Sequence, residues 1–151
     1  RTIYRFPTRF TISITIMKIV YLSLTGNIRK FVKKIGMDSV ELNYSNPTTE
    51  MNEDYILITP TYDDEITDVI SEFINYKDNI SHLKGFVGSG NKNFDDSYCF
   101  NAEVLSRKYN KPLIFKFEMS GTDNDIMKFK EEVNNVEIAR IKWEGKRRYI
   151  F

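Results

Sequence analysis

The sequence is short of the residues that build disulfides, metal centres and membrane spans. It has one cysteine, Cys99, so no internal disulfide framework and no cysteine-based zinc site can be assembled. One histidine, His82, excludes a histidine cluster or a three-histidine metal site. The longest largely apolar runs, over 17–22 and 55–60, fall far short of the roughly 20 residues a membrane helix needs. No carboxylate pair, Ser-His-Asp set or ligand set stands out, so hydrolase and metalloenzyme chemistry lack their residues. Scarce cysteine is the usage of a reducing compartment, and the expected location is cytoplasmic.

What is present is globular. With 151 residues, 41% hydrophobic and 28% charged, the chain is long enough for one domain with its own core. The net charge of +1 hides an asymmetry: residues 1–16 carry +3, residues 140–151 carry +4, and 17–139 carry −6. An acidic body between two basic ends lacks the basic folded face that tracks a phosphate backbone, so nucleic acid is not the expected partner.

Apolar runs bounded by turn signals predict strands over 19–23, 55–58, 84–89 and 113–118, with a weaker one over 39–43. Apolar residues at helical spacing predict helices at 28–35 and 66–74, over about 98–109, and over 123–133 with Thr122 or Asp123 as N-cap. Strands alternating with helices point to an α/β layered domain with a parallel sheet, expected over 17–139. Residues 10–16 alternate strictly between apolar and polar, which is a two-sided strand rather than a first βα unit. Residues 1–16 are read as a leader or non-native extension, an extra edge strand being the rival, and 140–151 as a basic tail.

Ligands of parallel sheets bind beyond the carboxyl ends of the strands, so the loops there carry the function. The first loop, Ser23-Leu24-Thr25-Gly26-Asn27, sits between a buried strand and a helix. Backbone N–H groups at a helix N-terminus suit an anion, and Ser23, Thr25 and Asn27 add donors. The loop matches neither G-x-x-x-x-G-K-[ST] nor G-x-G-x-x-G, and it is sized for one terminal phosphate. Alone it reads equally well as a well-capped turn. The loop Gly88-Ser89-Gly90-Asn91-Lys92-Asn93-Phe94 offers backbone for close approach to a flat ligand, amides for a heterocycle edge and an aromatic face. Thr61 and Tyr62 add a third loop with an aromatic. A phosphate cradle beside two aromatic-bearing loops suggests a mononucleotide with a planar ring, and flavin mononucleotide (FMN) fits best.

Three stretches carry a narrower resemblance. Ser23 to Asn27 resembles the flavodoxin phosphate loop. Ser89-Gly90-Asn91-Lys92-Asn93-Phe94 resembles the S-G-N-x-N-[WF] loop of the NrdI family, flavodoxin-like stimulatory proteins of class Ib ribonucleotide reductase. Phe117-Glu118-Met119-Ser120-Gly121-Thr122 with Asp125-Ile126 resembles that family's F-E-x-x-G-T-x-x-D-[VI] stretch. The resemblance covers about 17–134. It implies a flavodoxin-like three-layer sandwich with a five-stranded parallel sheet in the order 2-1-3-4-5, binding FMN. It implies an accessory redox protein that, once reduced, turns dioxygen into a superoxide-type oxidant for the dimanganese-tyrosyl radical site of the small reductase subunit. Its partners would be that manganese-binding subunit and an electron-donating reductase. By position, Ser23, Leu24, Thr25, Gly26 and Asn27 would hold the phosphate. Thr61 and Tyr62 would border the ring, and Ser89, Gly90, Asn91, Asn93 and Phe94 would contact it. A general flavodoxin electron carrier and a flavin-free phosphate-binding module are the alternatives. The chain departs from many relatives in having no glycine over 61–65, so a flipping peptide there is less available.

Overall fold

The computed structural model describes the backbone of residues 2–5, 11–14, 17–93 and 98–149, and the side chains of 17–93 and 98–140. Five parallel strands form the central sheet: β3 (Lys18–Tyr21), β4 (Ser39–Glu41), β5 (Tyr55–Pro60), β6 (Leu83–Gly90) and β7 (Leu113–Glu118). Their order is β4-β3-β5-β6-β7, the expected 2-1-3-4-5 arrangement. The helices are α1 (Asn27–Ile35), α2 (Asp64–Ile74), the single-turn α3 (Asn79–His82), α4 (Phe100–Tyr109) and α5 (Asp123–Tyr149). No helix among the described residues is long and apolar enough to cross a membrane.

Strand periodicity sorts the core into two layers. Ile19, Tyr21, Ile56 and Ile58 face one side of the sheet, with Phe31 of α1 and Phe129 and Val133 of α5. Val20, Leu57 and Phe86 face the other, with Ile66, Ile70 and Phe73 of α2 and Leu105 of α4. β3, β5 and β6 are covered on both faces; residues 19–22 and 55–58 accordingly read as apolar runs, while β6 sets Phe86 and Val87 among glycines that let its neighbours pack close. Phe31 stacks on Phe117 at 3.8 Å between ring centres and meets Phe129 edge-on at 5.3 Å, joining α1, β7 and α5.

α5 is capped as the sequence suggests. The Asp125 N–H donates to Thr122 Oγ1 (3.1 Å), and the Thr122 N–H donates to Asp125 Oδ2 (2.8 Å). It runs well beyond the predicted end at 133. Past Val136 its inward stripe continues with the polar Glu137 and Arg140, which an apolar-periodicity reading cannot follow. Buried Glu137 accepts from the Met17 N–H (3.1 Å), and Arg140 bonds Glu137 (2.6 Å) and Asp54 (3.0 Å). Asp54 in turn meets His82 Nδ1 at 3.1 Å.

The expected strand at 10–16 is found as β2 (Thr11–Ile14). It pairs antiparallel with β1 (Thr2–Arg5), and neither strand joins the five-stranded sheet.

Candidate functional site

β3, β5, β6 and β7 all end at the same rim, and a cleft of about 370 Å³ opens there. Ser23, Leu24, Thr25, Asn27, Thr61, Tyr62, Ser89, Gly90 and Asn91 line it, so three loops distant in sequence converge as expected. Gly26 belongs to the first loop but does not line the cleft, and neither does Asn93, whose N–H donates to Asn91 Oδ1 (2.9 Å). Phe94 lies outside the described residues.

The first loop is built to leave donors open. Gly26 precedes α1 with φ 91°, a left-handed conformation that favours glycine, and as glycine it has no side chain of its own to cap the helix. The first turn contains no acidic residue, so its positive dipole end is not offset by a carboxylate. Ser23 Oγ accepts from the Arg29 N–H (3.4 Å), holding the strand end against the helix. The Arg29 guanidinium stands beside the loop and makes a two-pronged contact with Glu41 (2.8 and 2.6 Å). That contact holds the Glu41 carboxyl below its ordinary range. The N–H groups at the start of α1 that Ser23 leaves open, with the side chains of Ser23, Thr25 and Asn27 around them, form a donor set suited to a phosphomonoester.

The other loops are laced to one another. Thr61 Oγ1 donates to the Ser89 carbonyl (2.7 Å). Ser89 Oγ donates to the Met119 carbonyl (2.8 Å), and the Met119 N–H donates to the Gly90 carbonyl (3.1 Å). Tyr62 stands out from the rim, 73% exposed. Behind it the buried Asn101 accepts from the Tyr62 N–H (3.0 Å) and donates to the Asp63 carbonyl (2.9 Å). Asp63 caps α2 through the Glu65 N–H (3.1 Å). This loop has no glycine, and Asn101 engages both its Tyr62 N–H and its Asp63 carbonyl, which restrains its backbone. The remaining walls are Pro60, Ile28 and Met119, giving an apolar slot beside a polar cradle. That division fits a flat ring carrying one phosphate.

Sequence reasoning missed Asn101 and Met119. Asn101 is the second residue of α4, where nothing marks it as reaching back to another loop. Met119 lies inside the third family-like stretch, but no pattern of residue types singles it out. The reason for Gly88 also differs from expectation. A Cβ there would lie 2.9 Å from the Cβ atoms of both Cys99 and Ala102, so this glycine admits α4 against β6 rather than a ligand. Cys99 is fully buried, and burial pushes its thiol up to about 11.

A five-stranded parallel sheet in this order, with its cleft at the carboxyl rim, defines a flavodoxin-like α/β protein. A short-chain flavodoxin associated with a non-canonical PDU bacterial microcompartment matches with a TM-score of 0.58 at 16% identity, over 82% of this chain and 97% of its own. A metal-soaked flavodiiron core from Synechocystis sp. PCC6803 matches with a TM-score of 0.55 at 15% identity, over 83% of this chain and 36% of its own. These likenesses speak to the fold. The family model described as NrdI flavodoxin-like matches residues 19–131, and the chain belongs to that family. Two relatives named Protein NrdI, from Ruegeria sp. and Mycoplasma mycoides, are each 29% identical to it, over 117 and 121 residues. Those matches span 74% and 75% of this chain and 84% and 77% of the relatives.

Proposed function

We propose that this chain is a cytoplasmic FMN protein that, once reduced, supplies a superoxide-type oxidant to the small subunit of a class Ib ribonucleotide reductase. The observation that carries the reading is the convergence of a helix N-terminus preceded by glycine and free of acidic residues with an apolar slot in one cleft, in a chain of the NrdI family. The N–H groups at the start of α1, with Ser23, Thr25 and Asn27, hold the phosphate. Leu24, Thr61 and Tyr62 border the ring, and Ser89, Gly90 and Asn91 meet its face and polar edge, with Asn93 steadying Asn91 from outside the cleft. Bound FMN would supply the electron transfer to dioxygen; the protein supplies binding, access and electrostatics. Residues Thr61, Ser89 and Asn101 keep the loops in place while the slot stays open to dioxygen. The rim that admits dioxygen is also where a manganese-loaded small subunit and an electron-donating reductase would dock.

The test is radical formation. The reduced, FMN-loaded protein is mixed with a manganese-loaded class Ib small subunit and dioxygen, and tyrosyl radical is counted by electron paramagnetic resonance. The expected result is radical well above that produced by free reduced FMN. Radical no higher than with free FMN would contradict the reading and leave a general electron carrier in its place.

A further inference from the structure

We infer that Met119 is a ring-holding residue of this cleft, kept in a conformation that folding alone would not select. The inference rests on the reading of the cleft as an FMN site. Met119 has φ 54°, in the left-handed region that long side chains rarely adopt. Its side chain joins neither core layer; it is 47% exposed and forms part of the cleft wall. A disfavoured backbone bearing a solvent-exposed apolar side chain is costly twice over, and glycine would relieve both costs. Such outliers persist where the surrounding structure over-determines them, and they cluster at ligand clamps.

The surroundings do over-determine Met119. Its N–H donates to the Gly90 carbonyl (3.1 Å), and its carbonyl accepts from the hydroxyl of the buried Ser89 (2.8 Å). Both partners lie at the end of β6. Ser89 is thus a positioning residue that acts through Met119. β6 lies between β5, which leads into Tyr62, and β7, which leads into Met119. A flat aromatic ligand over the end of β6 therefore meets an apolar side chain from each flank. A thioether is polarisable and makes favourable contacts with aromatic rings. Leu24, Tyr62 and Met119 are exposed large apolar residues at this rim.

The experiment compares the wild-type protein with M119G and M119L. Apoprotein unfolding temperature and FMN affinity are measured on each, together with the absorbance band of the bound flavin. M119G is expected to unfold at the same or a higher temperature, yet to bind FMN about 10-fold more weakly, with its flavin band shifted towards that of free FMN. M119L, which restores apolar bulk, is expected to recover affinity to within about 3-fold of wild type. A structural role would move stability and affinity down together. M119G binding FMN as tightly as wild type, or losing stability in step with affinity, overturns the inference and leaves the FMN reading standing. Wild-type protein that does not bind FMN overturns both.

Discussion

Cys99 begins α4 in the left-handed conformation (φ 58°), fully buried between helix and sheet. Burial is the largest influence on its thiol, and it outweighs the hydrogen bonds with Thr61 and Tyr98 that favour the thiolate. The residue is therefore a packing thiol with no nucleophile at neutral pH. The sign of the pH effect follows from linkage. The folded thiol loses its proton near pH 11 and the unfolded one near pH 9, so its contribution is complete below pH 9 and is lost as pH rises to 11. Across that window the difference amounts to about 3 kcal/mol. Urea unfolding of wild type and Cys99→Ser at a series of pH values should show a flatter decline for the variant; equal slopes would contradict this. At this scale little was legible beforehand. Asn101, Ser89 and Glu137 each bond to backbone far away in sequence, and residue type alone does not indicate such partners.

The elements read more easily, because burial imposes its period on them. β3 and β5 announce themselves as apolar runs, and α1 and α2 show their inward faces at helical spacing. α3 had no signal of its own. Its buried Asn79 holds the preceding loop and helix through Met51 N–H (2.7 Å), the Thr49 carbonyl (2.8 Å) and the Phe73 carbonyl (2.8 Å). The end of α5 was missed for a related reason: after Val136 its inner stripe changes from apolar residues to the Glu137–Arg140 ion pair. Packing between elements makes the next prediction. Gly88→Ala places a methyl group against Cys99 and Ala102, and α4 must move off β6. The expected cost is about 1–3 kcal/mol, read as a fall of several degrees in unfolding temperature. An unchanged temperature would show that the contact yields freely.

For the whole molecule, sheet order decides function. Placing β3 and β5 side by side at the centre brings a phosphate-type loop and two ring-type loops to one rim, although their cleft-lining residues lie between 23 and 91 in the chain. The candidate site was legible to the extent that small and polar residues follow the strands there. The closure of its far wall by Met119 was not, since a single residue in a crossing loop leaves no periodic trace. The central claim is that one cleft holds ring and phosphate together, and affinity for two flavins tests it most directly. FMN and riboflavin are titrated with the apoprotein and followed by quenching of flavin fluorescence. Riboflavin lacks the phosphate, so the account predicts tight FMN binding and riboflavin binding weaker by about 100-fold or more. Equal affinity for the two, or no quenching of either, would contradict it.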